Sequence, residues 1–109
     1  MKKGIVFVFS VVLVSLAWSG SLYADGKEIF EKSCKACHGA DGKGNAAIAT
    51  GMKVDATLLD LTKAATKGKP DAELEATIKD GKGGKMPAFG TRLNADQIKD
   101  VVKFIKGLP

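Results

Sequence analysis

Beyond residue 24 the chain offers only three aromatic side chains, Phe30, Phe89 and Phe104, with which to build a core. That stretch is rich in Gly, Ala and Lys, and it is about 85 residues long. At this size a hydrophobic core is marginal, and disulfides, metals or cofactors commonly supplement it. The two cysteines could form one disulfide at most. Something other than the chain's own side chains is therefore expected to fill the middle.

The first two dozen residues have a different character. Lys2 and Lys3 precede an apolar run from Ile5 to Trp18, broken only by Ser10 and Ser15, and small or polar residues lead to Ala24 and the charged Asp25. A positive start, an apolar stretch and a small residue at the exit make a secretory leader. The expected organisation is a signal peptide over 1–24, cleaved after Ala24, and one domain over 25–109, exported to the periplasm. The alternative is a retained N-terminal membrane anchor facing the periplasm, but a fourteen-residue run that includes two serines falls short of the ~20 apolar residues that a spanning helix needs.

Loss of Lys2 and Lys3 would lower the formal charge from +5 to +3. The remaining lysines are scattered, with no aromatic residues interleaved, which argues against nucleic acid as a partner.

No segment alternates with period two, so the fold is expected to be all-α, with four or five short helices. Ile29, Phe30, Ser33, Cys34 and Cys37 fall at helical spacing, predicting a helix from about Gly26 to Cys34, opened by Asp25 with Glu28 as a capping-box variant. The glycine-rich stretch after His38 reads as a loop. A short helix is predicted from Thr57 to Ala65 with Leu58, Leu59 and Leu61 inward. Another runs from Ala72 to Lys79 after Pro70, and a last one, capped by Asn94, carries Ile98, Val101, Val102, Ile105 and Leu108 on one stripe.

Cys34-Lys35-Ala36-Cys37-His38 is the C-x-x-C-H pattern of c-type haem attachment. Two thiols three residues apart in a helical turn point the same way, and each can add across one haem vinyl group. The next residue then offers an imidazole to the iron. His38 is the sole histidine. A thiol redox motif would be expected beside a βαβ pattern, and structural zinc needs four ligands where this chain has three Cys and His in all. A plain disulfide would leave the adjoining histidine unexplained.

The haem iron of an electron carrier normally takes a second axial ligand, the alternative being a sensing haem protein with an open sixth position. With no spare histidine and Met1 in the leader, the candidates are Met52 and Met86. Met86 lies between Gly83-Gly84 and Pro87, in a loop that can bring a thioether to a metal free of helix register. Met52 lies soon after His38 in a Gly-flanked loop that would have to wrap quickly to the opposite face. The chain path favours Met86.

These segments resemble class I cytochrome c, the small monohaem kind of bacterial periplasms and algal thylakoid lumens. The likeness rests on Gly26-x-x-x-Phe30, the attachment motif, Lys85-Met86-Pro87-Ala88-Phe89-Gly90 and Val101-x-x-Phe104, and it spans nearly all of the expected domain. It implies helices packed around one covalent haem c, first and last helices crossing closely at Gly26 beside Phe30, Val101 and Phe104, and Met86 as the sixth iron ligand. It also implies an electron carrier and not an enzyme. Its partners would be a redox protein donor and acceptor, and it would work as a monomer. Many relatives place a proline carbonyl against the proximal imidazole, but residues 39–69 contain no proline, so another carbonyl is expected in that role. Lys35, Lys82 and Lys85 are candidates to ring the haem edge and steer acidic docking surfaces toward it.

Intact mass spectrometry of protein from an exporting, haem-c-competent host should give residues 25–109 plus one haem. A mass that keeps the leader, or lacks the haem, contradicts the corresponding expectation.

Overall fold

The computed structural model describes residues 4 and 22–109, and among these the regular elements are helical. A continuous helical run opens the domain: α1 (Leu22–Ile29) passes through a π-helical turn (Phe30–Cys34) into α2 (Lys35–His38). There follow α3 (Ala46–Met52), a 3-10 turn (Ala56–Leu59), α4 (Ala64–Lys67), α5 (Asp71–Asp80) and α6 (Ala95–Lys106). The one isolated β-bridge among the described residues pairs Lys82 with Met86. The expected all-α class holds. The expected leader lies outside the described residues, apart from Gly4 and its last three residues, which begin α1.

α6 is the helix on which α1, α4 and α5 pack. Asn94 accepts from the Gln97 N–H at 2.9 Å while Gln97 accepts from the Asn94 N–H at 2.9 Å, a complete capping box that fixes where the helix begins. Its apolar stripe buries Ile98, Val101, Val102 and Ile105, with Val101 and Val102 almost wholly enclosed. Leu108, just past the helix end, is buried as well.

α1 crosses α6 at Gly26. A side chain there would run into the Asp100 carbonyl, with a Cβ only 2.8 Å from its carbon and 3.1 Å from the Phe104 Cβ. The close approach brings the Phe30 and Phe104 rings to 5.1 Å between centroids, tilted by 51°. Aromatic pairs favour such tilted contacts because the positive ring edge meets a negative face. Phe30 is fully buried, and side chains of this size stabilise by roughly 1.5–3 kcal/mol each on leaving water. α5 closes the cluster with Ile78 and Leu74, and Phe89 enters from the segment that follows.

Three local expectations are corrected. Asp25 lies inside α1 and not at its cap, and Glu28 pairs with Lys32 at 2.6 Å, one helical turn on. The stretch from Thr57 to Ala65 is divided into the 3-10 turn and α4, because Asp60 takes an extended conformation between them. Leu58 consequently points outward, 71% exposed, while Leu59 is buried. Met52 ends a helix, α3, that Gly51 and the small residues before it had masked as loop.

Replacing Gly26 with Ala should cost about 1–3 kcal/mol through overpacking. For a domain this small that is a fall of about 4–8 °C in Tm per kcal/mol, measurable by thermal unfolding of the holoprotein. An unchanged Tm would show that the crossing has slack that the geometry denies.

Candidate functional site

The Cys34–His38 motif occupies the end of the opening helix. In the π-helical turn the Lys35 N–H reaches back five residues to the Phe30 carbonyl. Insertions of this kind re-aim the side chains that follow, and they recur at functional sites. Cys34 is buried in the core cluster and Cys37 is half-buried, and neither is in a disulfide. Burial, with Cys37 beside it, pushes the Cys34 thiol up to about 11. Such a thiol stays protonated at neutral pH, the opposite of what a thiol redox motif requires.

The loop after His38 is fastened back onto the motif by its own backbone. The Gly44 N–H donates to the His38 carbonyl at 2.7 Å and the Asn45 N–H to the Cys37 carbonyl at 3.0 Å. Asn45 also donates from its side chain to the Ala36 carbonyl at 3.1 Å, while its Oδ1 caps α3 by accepting from Ala47 and Ile48. One asparagine thus fixes α3 against the attachment helix.

The imidazole of His38 is half-buried, and its Nδ1 lies 2.8 Å from the Leu59 carbonyl oxygen. A carbonyl only accepts, so Nδ1 carries a proton, and in the neutral ring Nε2 keeps its lone pair. This is the acceptor that the sequence left open. Any residue has a carbonyl, so nothing in the composition of the stretch singled Leu59 out; the missing proline was the only clue that another residue served.

Met86 is held by a tighter structure than the irregular loop expected. Gly83 and Gly84 have φ of +56° and +74°, the pair of positive values that a type I′ turn requires. The turn is closed by the Lys85 N–H to the Lys82 carbonyl at 3.1 Å, and Lys82 and Met86 exchange backbone hydrogen bonds at 3.0 and 3.2 Å. Beyond it, the Phe89 N–H donates to the Ile78 carbonyl and the Gly90 N–H to the Lys79 carbonyl, pinning the segment to the end of α5. Met86 is half-buried and packs on the same cluster that holds Cys34 and Phe30. Met52 sits at the end of α3, outside that cluster. Lys35, Lys82 and Lys85 are all exposed.

Comparison with known proteins decides the family. The sequence model described as cytochrome C oxidase, cbb3-type, subunit III matches residues 21–105. Cytochrome c6 of Gloeothece citriformis is 34% identical over 112 residues, covering 96% of this chain and 93% of that protein. The chain belongs to the class I c-type cytochromes.

Cytochromes of this class carry haem c and its iron covalently and serve electron transfer. The cbb3-type oxidase subunit FixP of Rhizobium meliloti is 34% identical over 87 residues, 80% of this cytochrome but 28% of that subunit. The gluconate 2-dehydrogenase cytochrome c subunit of Pantoea cypripedii is 33% identical over 113 residues, covering 94% of this chain and 24% of its own. The chain therefore spans only about a quarter of the oxidase and dehydrogenase subunits it matches. Among solved structures, the KustC0563 c-type cytochrome shares the fold, with a TM-score of 0.65 at 24% identity over 77% of this chain and 96% of that one. No helix among the described residues is long and apolar enough to cross a membrane.

The residues present fit such a group. Two free thiols stand three residues apart beside an imidazole with its Nδ1 occupied, and a thioether packs on the cluster that one of those thiols enters.

Gly84→Val should force a branched side chain into the left-handed region, at about 1–2 kcal/mol, and loosen the turn ahead of Met86. Hydrogen exchange of the Lys85 and Met86 amides should quicken about 5–30-fold, the factor that corresponds to this energy. Unchanged protection would mean that the turn does not hold the methionine segment.

Proposed function

We propose that this cytochrome is a one-electron shuttle with a single haem c, anchored by Cys34 and Cys37 and ligated by His38 and Met86. The observation that carries the reading is the state of the lone imidazole. With Nδ1 bonded to the Leu59 carbonyl, the only nitrogen left for a metal is Nε2. Haem c, when bound, supplies an iron centre that exchanges one electron. The protein's own residues do the rest. Cys34 and Cys37 would hold the group covalently, His38 and Met86 would ligate its iron, and the turn around Gly83-Gly84 keeps the thioether in place.

With both iron positions taken by His38 and Met86, no substrate would reach the metal. On this reading the protein would make and break no bonds during transfer and would act as a carrier, not an enzyme. A neutral thioether ligand disfavours the added charge of the ferric state and raises the potential. The donor and acceptor are redox proteins. Relatives described as subunits of an oxidase and of a gluconate dehydrogenase support partners of that kind. Lys35, Lys82 and Lys85, all exposed, present positive charge on the motif and on the methionine turn, suited to acidic docking surfaces. The protein acts as a monomer in the periplasm after loss of residues 1–24. The identity to a cytochrome c6 supports the carrier reading.

Met86→Ala should open the sixth position, so that carbon monoxide binds the reduced protein and the reduction potential falls. Met52→Ala should do neither. Exchanged behaviour would assign the ligand to Met52, and ready carbon monoxide binding by the unmutated protein would replace the carrier reading with that of a ligand-binding haem protein.

A further inference from the structure

Leu59 is bracketed by the same three-residue pattern on both sides, Asp55-Ala56-Thr57 before it and Asp60-Leu61-Thr62 after it. In each, the carboxylate of the aspartate accepts twice from the threonine. Asp55 takes the Thr57 N–H at 2.9 Å and its hydroxyl at 2.8 Å, and Asp60 takes the Thr62 N–H at 2.8 Å and its hydroxyl at 2.6 Å. Both carboxyls are held below the ordinary range by these bonds, so both are charged acceptors at neutral pH. Asp60 also has Lys63 and Lys43 nearby.

The two clasps act on a segment already pressed from the other side. Gly44, the residue that donates to the His38 carbonyl, leaves no space beneath Leu59: a Cβ there would lie 3.1 Å from the Leu59 Cβ and from the Ala56 carbonyl oxygen. The Leu61 N–H donates to the Gly42 carbonyl at 2.7 Å, tying the second clasp to the loop that follows His38. The Leu59 carbonyl therefore has a fixed position although no proline ring restricts its backbone. Proline would lock φ by covalent geometry; here charge-assisted hydrogen bonds on both flanks restrict the same few torsions.

We propose that Asp55-Thr57 and Asp60-Thr62 are positioning residues for the axial histidine, which hold the Leu59 carbonyl at hydrogen-bond distance from His38 Nδ1 and so set the donor strength of the ligand. The inference rests on His38 being that ligand. A strong acceptor at Nδ1 raises the basicity of the ring and favours the ferric state. Slackening either clasp lengthens the bond, weakens the donor and shifts the reduction potential upward.

The test uses the holoprotein and four variants: Asp60→Ala, Thr62→Val, Asp60→Asn and Asp55→Ala. Reduction potential, the paramagnetically shifted signals of the His38 ring and the exchange rate of its Nδ1 proton are read alongside Tm. Asp60→Ala and Asp55→Ala should raise the potential and speed Nδ1–H exchange about tenfold, roughly the loss of one net hydrogen bond. Thr62→Val, which keeps the backbone donor, should do so by less. Asp60→Asn keeps an acceptor oxygen but loses the charge, and should shift both readouts in the same direction by less than Asp60→Ala. If Tm falls while potential and Nδ1–H exchange stay at parent values, the clasps merely stabilise the loop and the proposal is overturned. If Asp60→Ala yields no folded holoprotein, Thr62→Val decides on the same two readouts. A parent protein without shifted His38 ring signals would show instead that the ligand reading itself is wrong.

Discussion

The close crossing of α1 and α6 at Gly26 is the constraint from which the rest of the cytochrome follows. Only hydrogen fits between the two backbones there. At that distance Phe30 reaches Phe104 and buries fully, and the helix carrying Phe30 delivers Cys34 into the core one turn later. The π-helical turn comes between, so the attachment motif begins with its first cysteine inside and ends with His38 half-exposed at the helix terminus. A core of few large side chains is thus spent on one joint, and that joint aims the chemistry.

Around this joint the loops are held by polar contacts more than by burial. Asn45, the Leu59 carbonyl and the Leu61–Gly42 backbone bond stitch residues 36–61 into a sleeve on one side of the attachment helix. Leu108 from the chain's end packs on Gly42 of the same sleeve. The glycine turn and its bonds to α5 carry Met86. Short stretches rich in Gly and Ala suffice because hydrogen bonds, which need no bulk, fix their paths.

The parts of this plan that were legible in the sequence are those written in local chemistry. The capping box at Asn94, the stripe from Ile98 to Ile105 and the stop at the glycines after Asp80 each announce themselves within a few residues. The Cys34-to-His38 motif does the same, since the spacing of its two thiols and imidazole is itself the signal. What could not be read were outcomes decided by distant partners. Leu58 and Leu59 are alike as letters, yet one faces out and the other in, because an extended Asp60 interrupts the helix that would have turned both inward. The carbonyl that receives the His38 proton belongs to a residue 21 positions away, with nothing in its side chain to mark it. α3 was hidden for another reason: Gly51 lies inside it, and its stability comes from the Asn45 cap and not from an apolar stripe.

The relatives show this domain both as a protein of similar length and as about a quarter of larger subunits. That breadth suits a unit whose site is built from two segments on one small frame. The central claim is that His38 and Met86 face the same iron. Methyl-selective nuclear magnetic resonance of the reduced holoprotein tests it most directly, because the haem ring current displaces the methyl signal of an axial methionine far upfield. The account predicts one such signal, assigned through its neighbours Lys85 and Pro87 to Met86, with Met52 in the ordinary range. A displaced signal that belongs to Met52, or no displaced methionine signal at all, would contradict it.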